Sequence, residues 1–295
     1  MPTEQDLFTR LAVFAGGCTL EAAEEICGAD VDAITSLVDK SLLRRTGDRY
    51  WMLETIREFA AERLDELADS RLLRDSHAAW YTALGERARP ELRAWGAREW
   101  LGRLDAEHAN LRAALECLLE SGEADGALRL SGAIWPYWQT RGHWTEGRRY
   151  LTAAVALGAD LEPERLVDAL WGASLLAQWQ GDIDEGEQLA SRMLEISKRA
   201  VEQEHVYSVA IHLLAIVATK RDDRDRALAL LEESLAIVRR GGEPWLLSIA
   251  LNNLGNLLMR EGDYERAAGL FEESLAIGEA RGDVDRRARS TTSAG

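Results

Sequence analysis

A hexapeptide that returns after forty residues constrains this chain more than any other feature in it. Glu-Glu-Ser-Leu-Ala-Ile fills 232–237 and again 272–277, inside the longer matches Arg226–Ile237 and Arg266–Ile277. Fainter copies surround Gly181 and Gly142, so the turn positions Gly142, Gly181, Asp222 and Gly262 are spaced by 39, 41 and 40 residues. A fixed period of this length marks stacked supersecondary units, since one unit alone cannot bury its apolar face. Within each unit, apolar residues at three- and four-residue spacing predict two amphipathic helices joined by a short turn. Pro163 and Pro244 lie 81 residues apart, two periods, where first helices should begin and a missing N–H costs nothing.

The signature positions carry a resemblance. In Leu251–Leu275, small Gly255 and Ala267 alternate with large Leu254, Leu258, Tyr264 and Phe271, and the preceding unit offers Leu214, Ala215, Ala218, Ala227 and Leu231. These units resemble tetratricopeptide repeats (TPR) of the long kind found in bacterial regulators. Ala173, Ser174, Gly186 and Ala190 continue the pattern more loosely, and Pro136 is expected to bend the first helix of the earliest unit.

The first 75 residues do not repeat. Asp6–Phe14, Leu20–Ile26 and Val31–Leu43 read as short helices, the first two separated by Gly16-Gly17, and Ile34, Leu37, Val38 and Leu42 share one face of the third. Leu43–Leu53 alternates apolar and polar around Thr46-Gly47-Asp48, a hairpin, and a long helix follows from Glu54. Three helices and a two-stranded wing make a winged helix. The expected fold is therefore mostly α: a winged-helix domain over 1–75, a helical linker over 76–120, and an α-solenoid of TPR-like repeats over 121–295.

Leu11–Ala23, Leu37–Leu43 and Tyr50–Ala60 resemble the winged-helix segment of STAND-type signal-transduction ATPases, the AfsR- and LuxR-like (MalT-like) bacterial transcriptional regulators. His77–Ala79, Glu107–Ala114 and Arg141–Leu151 extend the likeness through the linker into the first repeat. The resemblance implies a switch in which the repeats bind a protein, peptide or small inducer and the winged helix docks on a nucleotide-binding module. That module's G-x-x-x-x-G-K-[ST] loop is not in this sequence, so ATP or ADP would be met only through a separate module and no cofactor is expected in this chain. In many relatives a Met-His-Asp triplet senses the phosphate. Met52-Leu53-Glu54 stands there instead, and leucine offers phosphate no hydrogen bond.

Charge weighs against the other readings. The net charge is −16, and residues 1–75 hold nine basic against sixteen acidic groups. The prospective recognition helix, Asp30–Leu43, carries Asp30, Asp32 and Asp39 against Lys40, so direct DNA binding through Arg44, Arg45 and Arg49 of the wing is the least favoured reading. No H-E-x-x-H or Cys-x-x-Cys occurs, and His205 and His212 are seven apart, about 10 Å along a helix. A non-enzyme is expected, with no metal site. Cys18, Cys27 and Cys117, the acidic N-terminus and the lack of a long apolar run suggest a cytoplasmic protein with no membrane contact.

Eight of the ten tryptophans lie between Trp80 and Trp179. Trp135 and Trp144 are expected in the core, while Trp171 and Trp179 face a groove. Repeat phase extends that groove to Gln178, to His212, Thr219 and Lys220, and to Asn252, Asn256, Met259 and Arg260, amides and cations suited to a peptide backbone or carboxylate. The reading preferred is a sensing and interaction region of a STAND/LuxR-type regulator; a free-standing TPR scaffold is the alternative. The chain is expected to fray after about Asp285.

Overall fold

The computed structural model describes residues 3–93, 97–198, 204–241 and 243–280, so the expectation for the segment after Asp285 lies outside the described residues. The chain forms two compact bodies, one from residues 1–87 with 100–130 and one from 88–99 with 131–295.

The first body opens with helix α1 (Glu4–Arg10), where Thr3 Oγ1 accepts from the Asp6 amide and the Asp6 carboxylate accepts from the Thr3 amide, a reciprocal cap. A 3₁₀ turn (Leu11–Val13) leads to strand β1 (Cys18–Thr19), then α2 (Leu20–Cys27) and α3 (Val31–Asp39). Strands β2 (Arg44–Thr46) and β3 (Arg49–Trp51) form the expected hairpin, and α4 (Glu54–Asp65) follows. Two details differ from expectation. Helix α3 stops at Asp39 because Ser41 turns left-handed (φ 59°) and sends the Leu42 and Leu43 amides back to the Leu37 carbonyl. The wing also has a third strand: β1 pairs antiparallel with β3, Cys18 opposite Tyr50 and Thr19 opposite Arg49, giving the order β1-β3-β2. Gly17 enables that pairing, since at φ +74° a Cβ there would lie 2.5 Å from the Tyr50 carbonyl oxygen.

Helices α5 (Ser70–Leu92) and α6 (Arg98–Ser121) supply a buried polar junction beneath this sheet. The Glu107 carboxylate of α6 accepts from Arg49 of β3, from the Tyr81 hydroxyl (2.9 Å) and from the Asn110 amide (2.8 Å). Asn110, wholly buried, also donates to the Gly17 carbonyl (2.8 Å) and accepts from the Ala15 amide (2.9 Å). The wing is thus fixed by hydrogen bonds that all have partners, the condition under which buried polar groups stabilise.

Among the described residues, the second body contains four helix pairs: α7 (Ala124–Arg141, entering it at Ser131) with α8 (Trp144–Leu157), α9 (Val167–Trp179) with α10 (Ile183–Ser197), α11 (Glu204–Lys220) with α12 (Arg224–Gly241), and α13 (Pro244–Glu261) with α14 (Tyr264–Ala280). All four turn residues read from the repeat are left-handed: Gly142, Gly181, Asp222 and Gly262 have φ of 78°, 88°, 60° and 81°. Pro163 opens a 3₁₀ turn (Pro163–Leu166) before α9, and Pro244 is the first residue of α13. Helices approach closely at small residues: a Cβ on Gly172 would lie 2.5 Å from Trp135 Cγ, and one on Gly186 would lie 2.4 Å from Gln178 Cγ. The repeat extends to polar contacts. Ser234 Oγ donates to the Ser208 carbonyl (3.0 Å), and forty residues on, the Ser248 and Ser274 hydroxyls share a hydrogen bond (2.5 Å). Arginines join successive pairs, Arg148 to Asp182 and Glu185, Arg221 to Asp184 and Glu187, and Arg266 to Glu232.

Candidate functional site

The first helices of the four pairs, with Ser234 and Val238 of α12, line a cavity of about 310 Å³ in the second body that is partly open to solvent. Its aromatic wall is built from three turns of sequence far apart in the chain. Trp171 of α9 has its ring centroid 5.3 Å from that of Trp135 on α7 and 5.6 Å from that of Trp245 on α13. Gly172 leaves the space that the Trp135 ring occupies, so the indole is set by the helix packing itself. The guanidinium of Arg93 lies 4.8 Å from the Trp171 ring centroid and is paired at 2.7 Å with Asp168, a carboxylate it shares with Arg89.

Helix α11 supplies the polar floor. The Asn253 amide donates to His212 Nε2 (2.7 Å), and burial holds the His212 pKa down at about 4, so the imidazole is neutral near pH 7. Burial also lowers His205, whose ring lies 6.5 Å from Trp171. A second cavity of about 280 Å³ shares Trp171 and has charged walls from Glu164, Arg165 and Asp168.

Of the residues expected in the groove, Trp171, Trp179, His212 and Asn252 line the larger cavity. The other six do not. Gln178 is corrected to a core residue: it is wholly buried, donates to Ser174 Oγ (3.1 Å) and the Leu213 carbonyl (3.4 Å), and fills the space beside Gly186. Thr219 turns its hydroxyl back to the Ala215 carbonyl (2.9 Å), Met259 packs on the core between the last two pairs, and Lys220, Asn256 and Arg260 are exposed and outside the cavity lining. Trp135 is buried as expected but also forms cavity wall, whereas Trp144 is only half-buried, against Trp179 at 5.5 Å. Trp179 itself is 42% exposed and sits at the rim. Trp245, Ser208 and Asn253 were absent from the sequence reading. Ser208 carried a signal in its forty-residue equivalence with Ser248; Trp245, next to Pro244 at a helix start, carried none.

The winged helix offers a different surface. Asp32, Thr35, Asp39 and Lys40 are the exposed polar residues of α3 and its cap, and Lys40 is paired with Glu4 at 2.5 Å. On the wing, Arg44 covers the Trp51 ring and Arg45 covers that of Tyr50 while donating to the Gly47 carbonyl. Among the described residues no group of His, Cys, Asp and Glu could hold a metal ion, and no helix is long and apolar enough to cross a membrane.

Comparison with known proteins agrees with this division. Residues 2–65 match the model of a winged helix-turn-helix domain, and residues 165–240 and 250–285 match models of the tetratricopeptide repeat. The chain is a winged helix followed by tetratricopeptide repeats. Proteins provisionally named HTH-type transcriptional regulators in Mycobacterium tuberculosis and Mycobacterium bovis are 37% identical over 166 residues, which is 52% of this chain and 18% of theirs. The chain therefore spans less than a fifth of the length of these relatives. Among solved structures, a STAND protein with a tetratricopeptide repeat sensor from Pyrococcus horikoshii superposes with a TM-score of 0.55 at 16% identity, over 98% of this chain and 46% of that one. The apo form of RapI gives 0.54 at 16% identity, over 72% of this chain and 74% of that one. Both likenesses are of fold.

Proposed function

We propose that this chain is the sensing and protein-interaction part of a STAND, LuxR-like transcriptional regulator, non-enzymatic in itself and cytoplasmic. The repeats take a protein or small inducer, and the winged helix docks on a nucleotide-binding module through which alone ATP or ADP is met. The observation that carries this reading is that the repeats hold an aromatic cavity while the winged helix has an acidic α3 surface. A surface of Asp32 and Asp39 repels phosphate, so the winged helix is suited to a protein neighbour rather than to a DNA backbone. Occupancy of the cavity then biases the docking equilibrium by whatever affinity difference the ligand has for the two arrangements.

Two measurements test the proposal. Mixed-sequence duplex DNA titrated into the chain at about 50 mM salt is expected to show no binding; binding that weakens steeply with salt would overturn it in favour of DNA recognition. Sequencing the coding DNA on both sides of the chain should reveal an in-frame P-loop module, and its absence would overturn the nucleotide-switch part.

A further inference from the structure

The wall of the larger cavity carries no charged side chain. Its polar groups are Gln139, Ser208, His212, Ser234, Asn252 and Asn253, and several are already engaged: Ser208 Oγ donates to the His205 carbonyl (2.8 Å), Ser234 Oγ to the Ser208 carbonyl, and Asn253 to His212. The side-chain amides of Gln139 and Asn252 are not engaged in this way. The indole N–H of Trp135, a residue 1% exposed, is buried with no acceptor in the structure. That nitrogen has no surface open to the cavity, so a ligand's contacts there are with the ring rather than with the N–H.

Size and charge narrow the ligand further. A cavity of about 150 Å³ lined by apolar side chains accepts benzene, so the 310 Å³ here suits a molecule of about two rings. A cation would find no carboxylate in the wall, and the Trp171 ring is already covered by Arg93. An anion would find no countercharge, because His212 stays neutral down to about pH 4. We propose that this cavity binds an uncharged, flat molecule of about two fused rings, packed against Trp135, Trp171 and Trp245. The proposal rests on the reading of the repeats as a sensing region and names the class of inducer.

Isothermal titration of the chain at about pH 8 with three probes of one shape tests it: quinoline, uncharged with a ring-nitrogen acceptor, naphthalene, which lacks the acceptor, and 2-naphthoate, an anion. Quinoline is expected to bind at least about tenfold more tightly than 2-naphthoate, for want of a countercharge. Naphthalene, equally uncharged, is expected to bind within about tenfold of quinoline. Ile216→Trp, which fills the cavity from α11, should weaken both by at least about tenfold with helix content unchanged by circular dichroism; Ile249→Trp does the same from α13 if the first variant fails to fold. The proposal is overturned if quinoline does not bind, if 2-naphthoate binds as well, or if both filled variants bind as the parent does. A chain that binds neither quinoline nor duplex DNA refutes the ligand class while the regulator reading stands; a chain that binds quinoline and duplex DNA does the reverse.

Discussion

Replacing Arg49 by methionine should loosen the wing from the helices beneath it, and the size of the effect follows from what the guanidinium touches. Arg49 pairs with Glu107 and donates to the Gly16 and Gly17 carbonyls at 3.2 and 3.1 Å. Although burial alone would lower the Arg49 pKa, its hydrogen bond and charge pairing with Glu107 raise it, so the guanidinium is charged in the folded state. Methionine keeps much of the stem but leaves Glu107, whose side chain is 7% exposed, as a buried carboxylate with only Tyr81 and Asn110 donating to it. Removing one partner of a buried pair costs about 3–5 kcal/mol, and with Arg49 itself 19% exposed the lower end, about 3 kcal/mol, is expected. Amide exchange read on 15–19 and 44–51 should accelerate about a hundredfold in Arg49→Met, since about 1.4 kcal/mol is a factor of ten. Adding Glu107→Gln removes the stranded charge, so the double variant should recover about 1–2 kcal/mol. An Arg49→Met protein within about 0.5 kcal/mol of the parent, or a double variant as unstable as the sum of the singles, would refute the argument.

Three further outcomes are expected. His77 is 2% exposed, and burial holds its pKa at about 4, below its usual value near 6.5, against the opposing pull of Asn110 and Glu107; the unfolded chain therefore takes the proton first, and stability present above pH 6.5 is lost as pH falls toward 4. From pH 7 to 5 the first body should lose about 2 kcal/mol from this group in urea unfolding, and His77→Gln should flatten that slope; an unchanged slope excludes the assignment. Gly172→Ala should destabilise by about 1–3 kcal/mol because its Cβ meets Trp135, whereas Gly269→Ala, in α14 with no atom within 4 Å of its Cβ, should stabilise by about 0.5–1 kcal/mol; thermal melts that move both the same way contradict the packing argument. Iodoacetamide should modify half-buried Cys117 first and leave Cys18, buried with its thiol pushed up to about 12, intact until unfolding; mass mapping that finds Cys18 labelled in the folded chain would contradict the burial of β1.

The parts legible in sequence are those written in local or periodic terms. The forty-residue period locates four turns, all left-handed in the structure, including Asp222, where no glycine marks the place. The wing hairpin is equally local. Strand β1 escaped because two residues carry no alternation, and its pairing depends on Gly17 lying against Tyr50. The junction of Glu107 and Asn110 escaped because charged and amide residues three apart on a helix look like a solvated face until Arg49 and Gly17 are brought to them. Repeat phase indicated which helices line the cavity, but assigned it Gln178, which α10 covers, and Lys220, Asn256 and Arg260, which are exposed and outside its lining. The meeting of Trp135, Trp171 and Trp245 depends on the pitch of four stacked pairs, a quantity that no single period contains.

That meeting also makes the second body its own instrument. Indoles held at centroid separations of 5.3 and 5.6 Å couple their electronic transitions, and the coupling varies steeply with separation and tilt. Because the three rings ride on α7, α9 and α13, a rotation of a few degrees per pair accumulates between the outermost two and alters the near-ultraviolet exciton signal. The winding and unwinding of these repeats can thus be followed by light, in unlabelled protein.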